Sequence, residues 1–533
     1  MSDNRLKLFI YYPIILACVL AGGIYLGSTL GIGYIPGTVT DGSTGNSKKI
    51  SNLLNYVLEE YVDTVDMEGL TESTIINMLD QLDPHSSYIP AKDLEASNEP
   101  LEGNFDGIGV EFNIINDTIV VVAPINGGPS EKLGIRSGDR IVSVEDSIVA
   151  GTGTTNKDVI SMLRGKRGTK VKVGILRRGE SGLLTFNIKR DKIPIYSVDA
   201  GYMVNDKVGY IKISRFAATT YDEFAEKLDI LKESGMESLI LDLRGNPGGY
   251  LTAAIDISDE FLKEGKLIVY TEGRARPKES AYSTGRGKFE KGKLVILVDE
   301  GSASASEIVS GAVQDNDRGT IIGRRTFGKG LVQEQVTLQD GSAVRLTIAR
   351  YYTPTGRCIQ RPYGEDEDYY ADFIHRVESG ELYEADSISV DESDKFVTPG
   401  GKVVYGGGGI VPDVFVPLDT TRLSTLHSEL LRSGVLREFA LNFASENRNL
   451  LDSFDDALEF DAKFKLSQND FLKLLEFAKA NDVKVTSEFS KESELMNNLK
   501  ALIARSQWNG DGFYPIINQK DRTIEIALEE LAN

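Results

Sequence analysis

LILDLRGNPGG, residues 239–249, decides the fold. A short apolar run ends in Arg244-Gly-Asn-Pro-Gly-Gly, and Leu251–Lys263 follows with helical spacing. The unit is strand, glycine turn, helix. It recurs in VILVDEGSASASEIVSG, residues 295–311, where a strand over Leu294–Val298 leads to a helix over Ala303–Asp315. Val208–Ser214 reads as a further strand, Tyr221–Glu233 as an amphipathic helix and Thr320–Gly323 as a short strand. This alternation predicts a layered α/β domain. A hairpin follows it, Leu331–Leu338 and Ala343–Tyr352 around a turn at Asp340-Gly341.

Upstream, from Phe105 to about Arg190, the texture is short β-branched runs cut by glycines. Strands are expected at Thr118–Ala123, Arg140–Val144, Lys170–Leu176 and Leu183–Lys189, with helices at Ser130–Leu133 and Asn156–Leu163. Lys48 to Leu82 carries two helical patterns. Beyond residue 418 the chain is charged and helical, with no recognisable chemistry. Residues 8–30 contain no charged side chain, and Arg5 and Lys7 precede them. Such a segment is long enough to cross a bilayer core of about 30 Å. The expectation is a single-pass inner-membrane anchor touching lipid through residues 8–30, with the bulk of the chain periplasmic or otherwise extracytoplasmic. The domains expected are 1–34 anchor, 35–98 linker and helices, 99–191 β-rich module, 192–417 α/β core and 418–533 helical extension.

Composition narrows the function. A net charge of −21 repels phosphate backbones, so nucleic acid is not an expected partner. Cys18 and Cys358 make no disulfide framework or cysteine-based zinc site. His85, His375 and His427 are scattered and form no metal motif. No cofactor and no metal are expected.

Three segments carry candidate chemistry. The glycines of RGNPGG let backbone N–H groups approach a ligand, as an oxyanion hole requires. In GSASASE, Ser304 stands three residues before Glu307, a capping-box spacing. A helix cap explains that serine as well as a nucleophile does, and spacing does not separate Ser302, Ser304 and Ser306. A helix N-terminus favours developing negative charge. In RRTFGKGLVQEQ, residues 324–335, Lys329 is flanked by Gly328 and Gly330. A lysine deprotonates serine only when burial depresses its pKa. Gln333 would hold the amine, provided the chain bends at Gly330, because an extended strand separates the two Cα atoms by roughly 13 Å.

Together LDLRGNPGG, GSASASE and GKGLVQ resemble the carboxy-terminal processing peptidases, the tail-specific serine proteases. The resemblance implies Ser304 as nucleophile, Lys329 as general base and Gln333 as its support. It implies oxyanion donors from the backbone of Gly248 or Gly249 and of Ala305. LDPHSSY, residues 82–88, is similar to a segment in that family's N-terminal region, with His85 structural. GIGVEF and GDRIVSVED resemble a PDZ domain, whose Gly107, Ile108, Gly109 and Val110 would hold a peptide's terminal carboxylate. GGGGIVPDV, residues 406–414, resembles the segment closing the peptidase core. The implied architecture is multidomain α+β: a membrane helix, a helical segment, a PDZ module, a crotonase/ClpP-like core and a helical extension. The implied partners are polypeptides bound by their C-termini, with homodimerisation a further expectation. Two rivals remain: a catalytically silent PDZ adaptor, and an acyl-CoA enzyme of crotonase type.

Overall fold

The computed structural model describes residues 44–364, 369, 371–419, 424–485 and 492–533. The chain divides into two compact units, Met1–Ile75 and Ile76–Asn533. The first holds the helix Thr44–Glu60 and the start of the helix Met67–Asp80, the two helices read from the Lys48–Leu82 pattern.

In the second unit, Val110–Ile115, Thr118–Pro124, Arg140–Val144, Lys170–Leu176 and Leu183–Lys189 form an antiparallel sheet in that order. Helices Pro129–Lys132 and Asn156–Leu163 pack with it, around Ile119, Val121, Ile141, Val171, Val173 and Ile175. Asn116 and Asp117 both take positive φ, 48° and 52°, as a tight hairpin turn between right-twisted strands requires. An antiparallel ribbon, Asn104–Gly107 with Asp191–Pro194, joins this module to the rest.

The α/β core contains, in chain order, β1 (Val198–Met203), β2 (Val208–Ile213), α1 (Thr220–Glu233), β3 (Ser238–Asp242), α2 (Leu251–Asp259), β4 (Lys293–Val298), α3 (Ala305–Asp315), β5 (Thr320–Gly323), β6 (Leu331–Thr337), β7 (Ala343–Tyr352) and β8 (Val414–Phe415). Strands β1-β2-β3-β4-β5-β8 form one sheet, parallel except for β1. All six residues of β2 are buried, because both faces of the sheet are covered. Ile211, Leu239, Leu241 and Ile296 meet α1, α2 and α3 on one face. Tyr210, Ile240, Leu297 and Ile322 meet Ile524, Ala527 and Leu531 of the last helix, α4 (Arg522–Ala532), on the other. The helical C-terminal region therefore supplies a layer of the core. A second, antiparallel sheet orders Ser87–Ile89, β7, Leu267–Glu272 and Glu279–Tyr282, with β6 paired to β7.

The membrane expectation is corrected. Among the described residues no helix is long and apolar enough to cross a membrane. The 26-residue helix Glu492–Ile517 contains Glu492, Glu494, Lys500, Arg505 and Asp511, and leaves helical geometry at Trp508 and Asn509. The proposed anchor, residues 8–30, lies outside the described residues, so single-pass inner-membrane placement has no spanning helix to rest on.

Candidate active site

Ser304 sits between β4 and α3, at the C-terminal edge of the parallel strands where α/β sheets place their ligands. Its φ of 54° and ψ of −110° are costly for a residue with a side chain. The turn is nonetheless held from several sides. Ala303 N–H donates to Asn246 C=O at 2.9 Å. Ser302 Oγ donates to Leu243 C=O at 2.8 Å, and Ser306 Oγ to Asn246 C=O at 2.9 Å. Both flanking serines are fully buried and committed to backbone, whereas Ser304 is half-buried. The structure thus separates three serines that spacing does not.

The RGNPGG turn lies directly against this helix start. A Cβ on Gly248 would stand 2.8 Å from Ser304 Cβ and 2.9 Å from Ala305 N. Gly248 has φ 94°, so a side chain there is excluded twice over. Its own N–H is turned away, to Asn246 Oδ1 at 2.9 Å, and Asn246 Nδ2 is tied to Ile213 C=O at 3.0 Å. The N–H groups of Gly249 and Ala305 have no acceptor among the described residues.

Lys329 lies on the loop between β5 and β6. Close approach of other backbone excludes a side chain at the two glycines that flank it. A Cβ on Gly330 would meet Gln360 N at 2.9 Å, and one on Gly328 would meet Gly409 N at 3.2 Å. Burial pushes the Lys329 amine below its usual value, and Arg345 adds to this, while Asp83 and Glu307 oppose it. Lys329 Nζ donates to Gln333 Oε1 at 3.0 Å. The required bend is present: the strand begins only at Leu331, and its register with β7 slips between Val332 and Gln333.

Glu307 joins the two segments. Its fully buried carboxylate accepts from Ser304 N–H (2.7 Å) and Lys329 N–H (2.9 Å) on Oε2, and from Gly328 N–H (2.7 Å) and Thr326 Oγ1 (2.5 Å) on Oε1. Two amides on one oxygen hold the Ser304 and Lys329 backbones within about 6 Å of each other. The Tyr351 hydroxyl also lies within hydrogen-bond reach of both the Ser304 and Lys329 carbonyls. Burial raises the Glu307 pKa to about 7 against the pull of its donors. Sequence reading gave Glu307 only the cap spacing. That the acid ties two distant segments is visible only in three dimensions.

The His85 ring stays neutral. Burial, then Lys329, lower its pKa to about 4, and its Nε2 lies 2.7 Å from the Tyr369 hydroxyl. Gly107, Ile108, Gly109 and Val110 form a separate feature. Gly107 ends the connecting ribbon opposite Asp191. Ile108 C=O accepts from Ser130 N–H (3.1 Å) and Oγ (2.6 Å). Gly109 takes φ 73°, and Val110 opens the edge strand Val110–Ile115. Among the described residues no group of His, Cys, Asp and Glu is arranged to hold a metal.

Parts of the chain are similar to known proteins. Residues 207–370 match peptidase family S41, residues 107–189 match the PDZ domain, and residues 426–509 match a family of unknown function. The carboxy-terminal processing protease CtpA of Bacillus subtilis is 35% identical over 361 residues, 67% of this chain and 76% of that protein. The carboxy-terminal-processing protease of Bartonella bacilliformis is 36% identical over 347 residues, 63% and 78% of the two chains. Among solved structures, the photosystem II D1 C-terminal processing protease aligns with 70% of this chain and 88% of its own. That alignment has 27% identity and a TM-score of 0.37.

Proposed function

Because the chain belongs to the carboxy-terminal processing proteases of peptidase family S41, we propose that its serine-protease chemistry runs on a Ser304–Lys329 dyad. The chain is a serine-type carboxy-terminal processing peptidase with a PDZ domain, and it takes polypeptides by their C-termini. In the proposed mechanism, neutral Lys329 Nζ takes the Ser304 Oγ proton as Oγ attacks the scissile carbonyl carbon. The N–H groups of Gly249 and Ala305 receive the oxyanion. Gly248 contributes its missing side chain rather than its N–H, since that N–H already serves Asn246. The lysine ammonium then protonates the leaving amine, which departs, and the Lys329 amine, neutral again, deprotonates the water that hydrolyses the acyl-enzyme. Gln333 anchors one Lys329 N–H, which leaves the lone pair of the neutral amine to point elsewhere.

The observation that carries this reading is the shared Glu307 oxygen, which sets the nucleophile's backbone beside that of a desolvated lysine. Gly107–Val110, at the head of a strand that forms a sheet edge among the described residues, is the proposed clamp for the tail's carboxylate, with the peptide added as a strand. The test is cleavage of a peptide with an apolar C-terminus. Ser304→Ala and Lys329→Ala each lose activity by about a thousandfold or more, while each variant still binds the peptide. Undiminished cleavage by either variant refutes the dyad.

A further inference from the structure

The segment Leu82–Tyr88 does more than support the fold. The Asp83 carboxylate is buried, and four bonds converge on it. Oδ1 accepts from His85 N–H (2.9 Å), Ser86 N–H (2.8 Å) and Thr347 Oγ1 (3.0 Å), and Oδ2 accepts from Ser86 Oγ (2.6 Å). An aspartate that only caps a turn needs just the residues following it. Here one partner, Thr347, comes from 264 residues away. Thr347 is the cross-strand partner of Gln333 in the β6–β7 ladder, and its own N–H donates to Ser86 Oγ at 3.1 Å. From the other side, the His85 carbonyl accepts from Gln333 Nε2.

A carbonyl only accepts, so the His85 oxygen forces Gln333 to present its NH2 there and its Oε1 to Lys329. With the amide reversed, two donors would face each other and the lysine would lose its anchor. The geometry points to Asp83 as the positioning residue of the general base: it folds the Leu82–Tyr88 turn so that His85 C=O and Thr347 together fix the Gln333 amide that holds Lys329. This rests on the reading of Lys329 as the base. The charged and titratable groups acting on Lys329 are Asp83, Glu307, Arg345 and the neutral His85 ring. Of these, Asp83 leads in favouring the ammonium.

Two consequences separate this role from simple support of the fold. Asp83→Asn keeps an acceptor oxygen but removes the charge. Its kcat falls about tenfold or more, its KM stays within about twofold, and the acid limb of its pH–rate profile moves to lower pH. The direction follows because a lysine relieved of a nearby anion gives up its proton more readily. A folded Asp83→Asn variant with its acid limb unmoved overturns the proposal, whether or not kcat falls. Should Asp83→Asn fail to fold, Thr347→Val decides. It keeps the charge but removes one tether, so kcat falls about threefold or more with the limb in place. Wild-type kcat in that variant overturns the proposal. Lys329→Ala assayed in parallel distinguishes the two levels. Wild-type activity there sinks the base assignment itself. An inactive Lys329→Ala beside an unaffected Asp83→Asn sinks only the role of Asp83.

Discussion

Lys329 is a cation held where a cation is disfavoured, and this couples stability to activity. Its folded pKa lies below that of the unfolded chain, so the unfolded state binds the proton more tightly. Stability therefore rises with pH between the depressed value and the ordinary one near 10.5. Lys329→Met removes that cost. The variant has a higher thermal midpoint than wild type at pH 7 and no measurable cleavage; a lower midpoint contradicts the desolvation argument. In wild type, cleavage rises with pH through the same depressed pKa. The three serines of the turn divide in the same residue-by-residue way. Ser302→Ala loses the hydroxyl that donates to Leu243 C=O at 2.8 Å and accepts from Asp299 N–H at 2.9 Å, costs about 1–3 kcal/mol in denaturant unfolding and stays active. His85 titrates from about 4 in the folded chain, against 6.5 unfolded. It contributes stability that is present above 6.5 and lost as pH falls toward 4. No histidine limb is expected in the activity profile between pH 6 and 7.

At the scale of elements, the site is made where two strand-to-helix or strand-to-hairpin turns touch. Gly248→Ala places a methyl 2.7 Å from Ala303 C=O and 2.8 Å from Ser304 Cβ, at φ 94°. The cost is about 1–3 kcal/mol in stability, with a much larger fall in kcat because the displaced atoms are those of the helix start. Unfolding curves and kinetics on one preparation check both halves. The bulge at Val332–Gln333 is the corresponding device on the other turn.

On the scale of the molecule, the C-terminal region is structural for the peptidase core. Asp521, at the start of α4, pairs with Arg244 of the RGNPGG turn at 2.8 Å. Arg244 in turn grips Asp242, which is fully buried. Burial opposes ionisation of Asp242, but Arg244 and Lys212 hold its pKa well below the carboxylate range. Deleting residues 522–533 uncovers Tyr210, Ile240, Leu297 and Ile322. The truncated chain is expected to be insoluble or unfolded and inactive, with Ser304 and Lys329 intact; a folded, active truncation contradicts the layer assignment. Between the PDZ module and the helical region, the ion pairs Arg178–Glu446 and Glu111–Arg505 are about half exposed. Exposed pairs contribute little each.

By itself the sequence determined the strand–helix alternation from Val208 to Tyr352 in outline, the PDZ texture and the three motif segments, but not the strands Ser87–Ile89, Val198–Met203, Leu267–Glu272 and Glu279–Tyr282. These are local signals, carried by apolar periodicity and by glycines at turns whose backbone conformations other residues disfavour. It also placed Lys329 between two glycines, and the close backbone contacts at Gly328 and Gly330 account for both. Tertiary structure alone decided that Ser302 and Ser306 donate to buried backbone carbonyls, that Gly248 N–H serves Asn246, that Glu307 joins residues 304 and 329, and that Asp83 reaches Thr347. It also decided that the final helix covers the sheet's second face. Each of these is a hydrogen bond or packing contact between segments distant in the chain. One-dimensional spacing carries no information about which buried donor meets which acceptor.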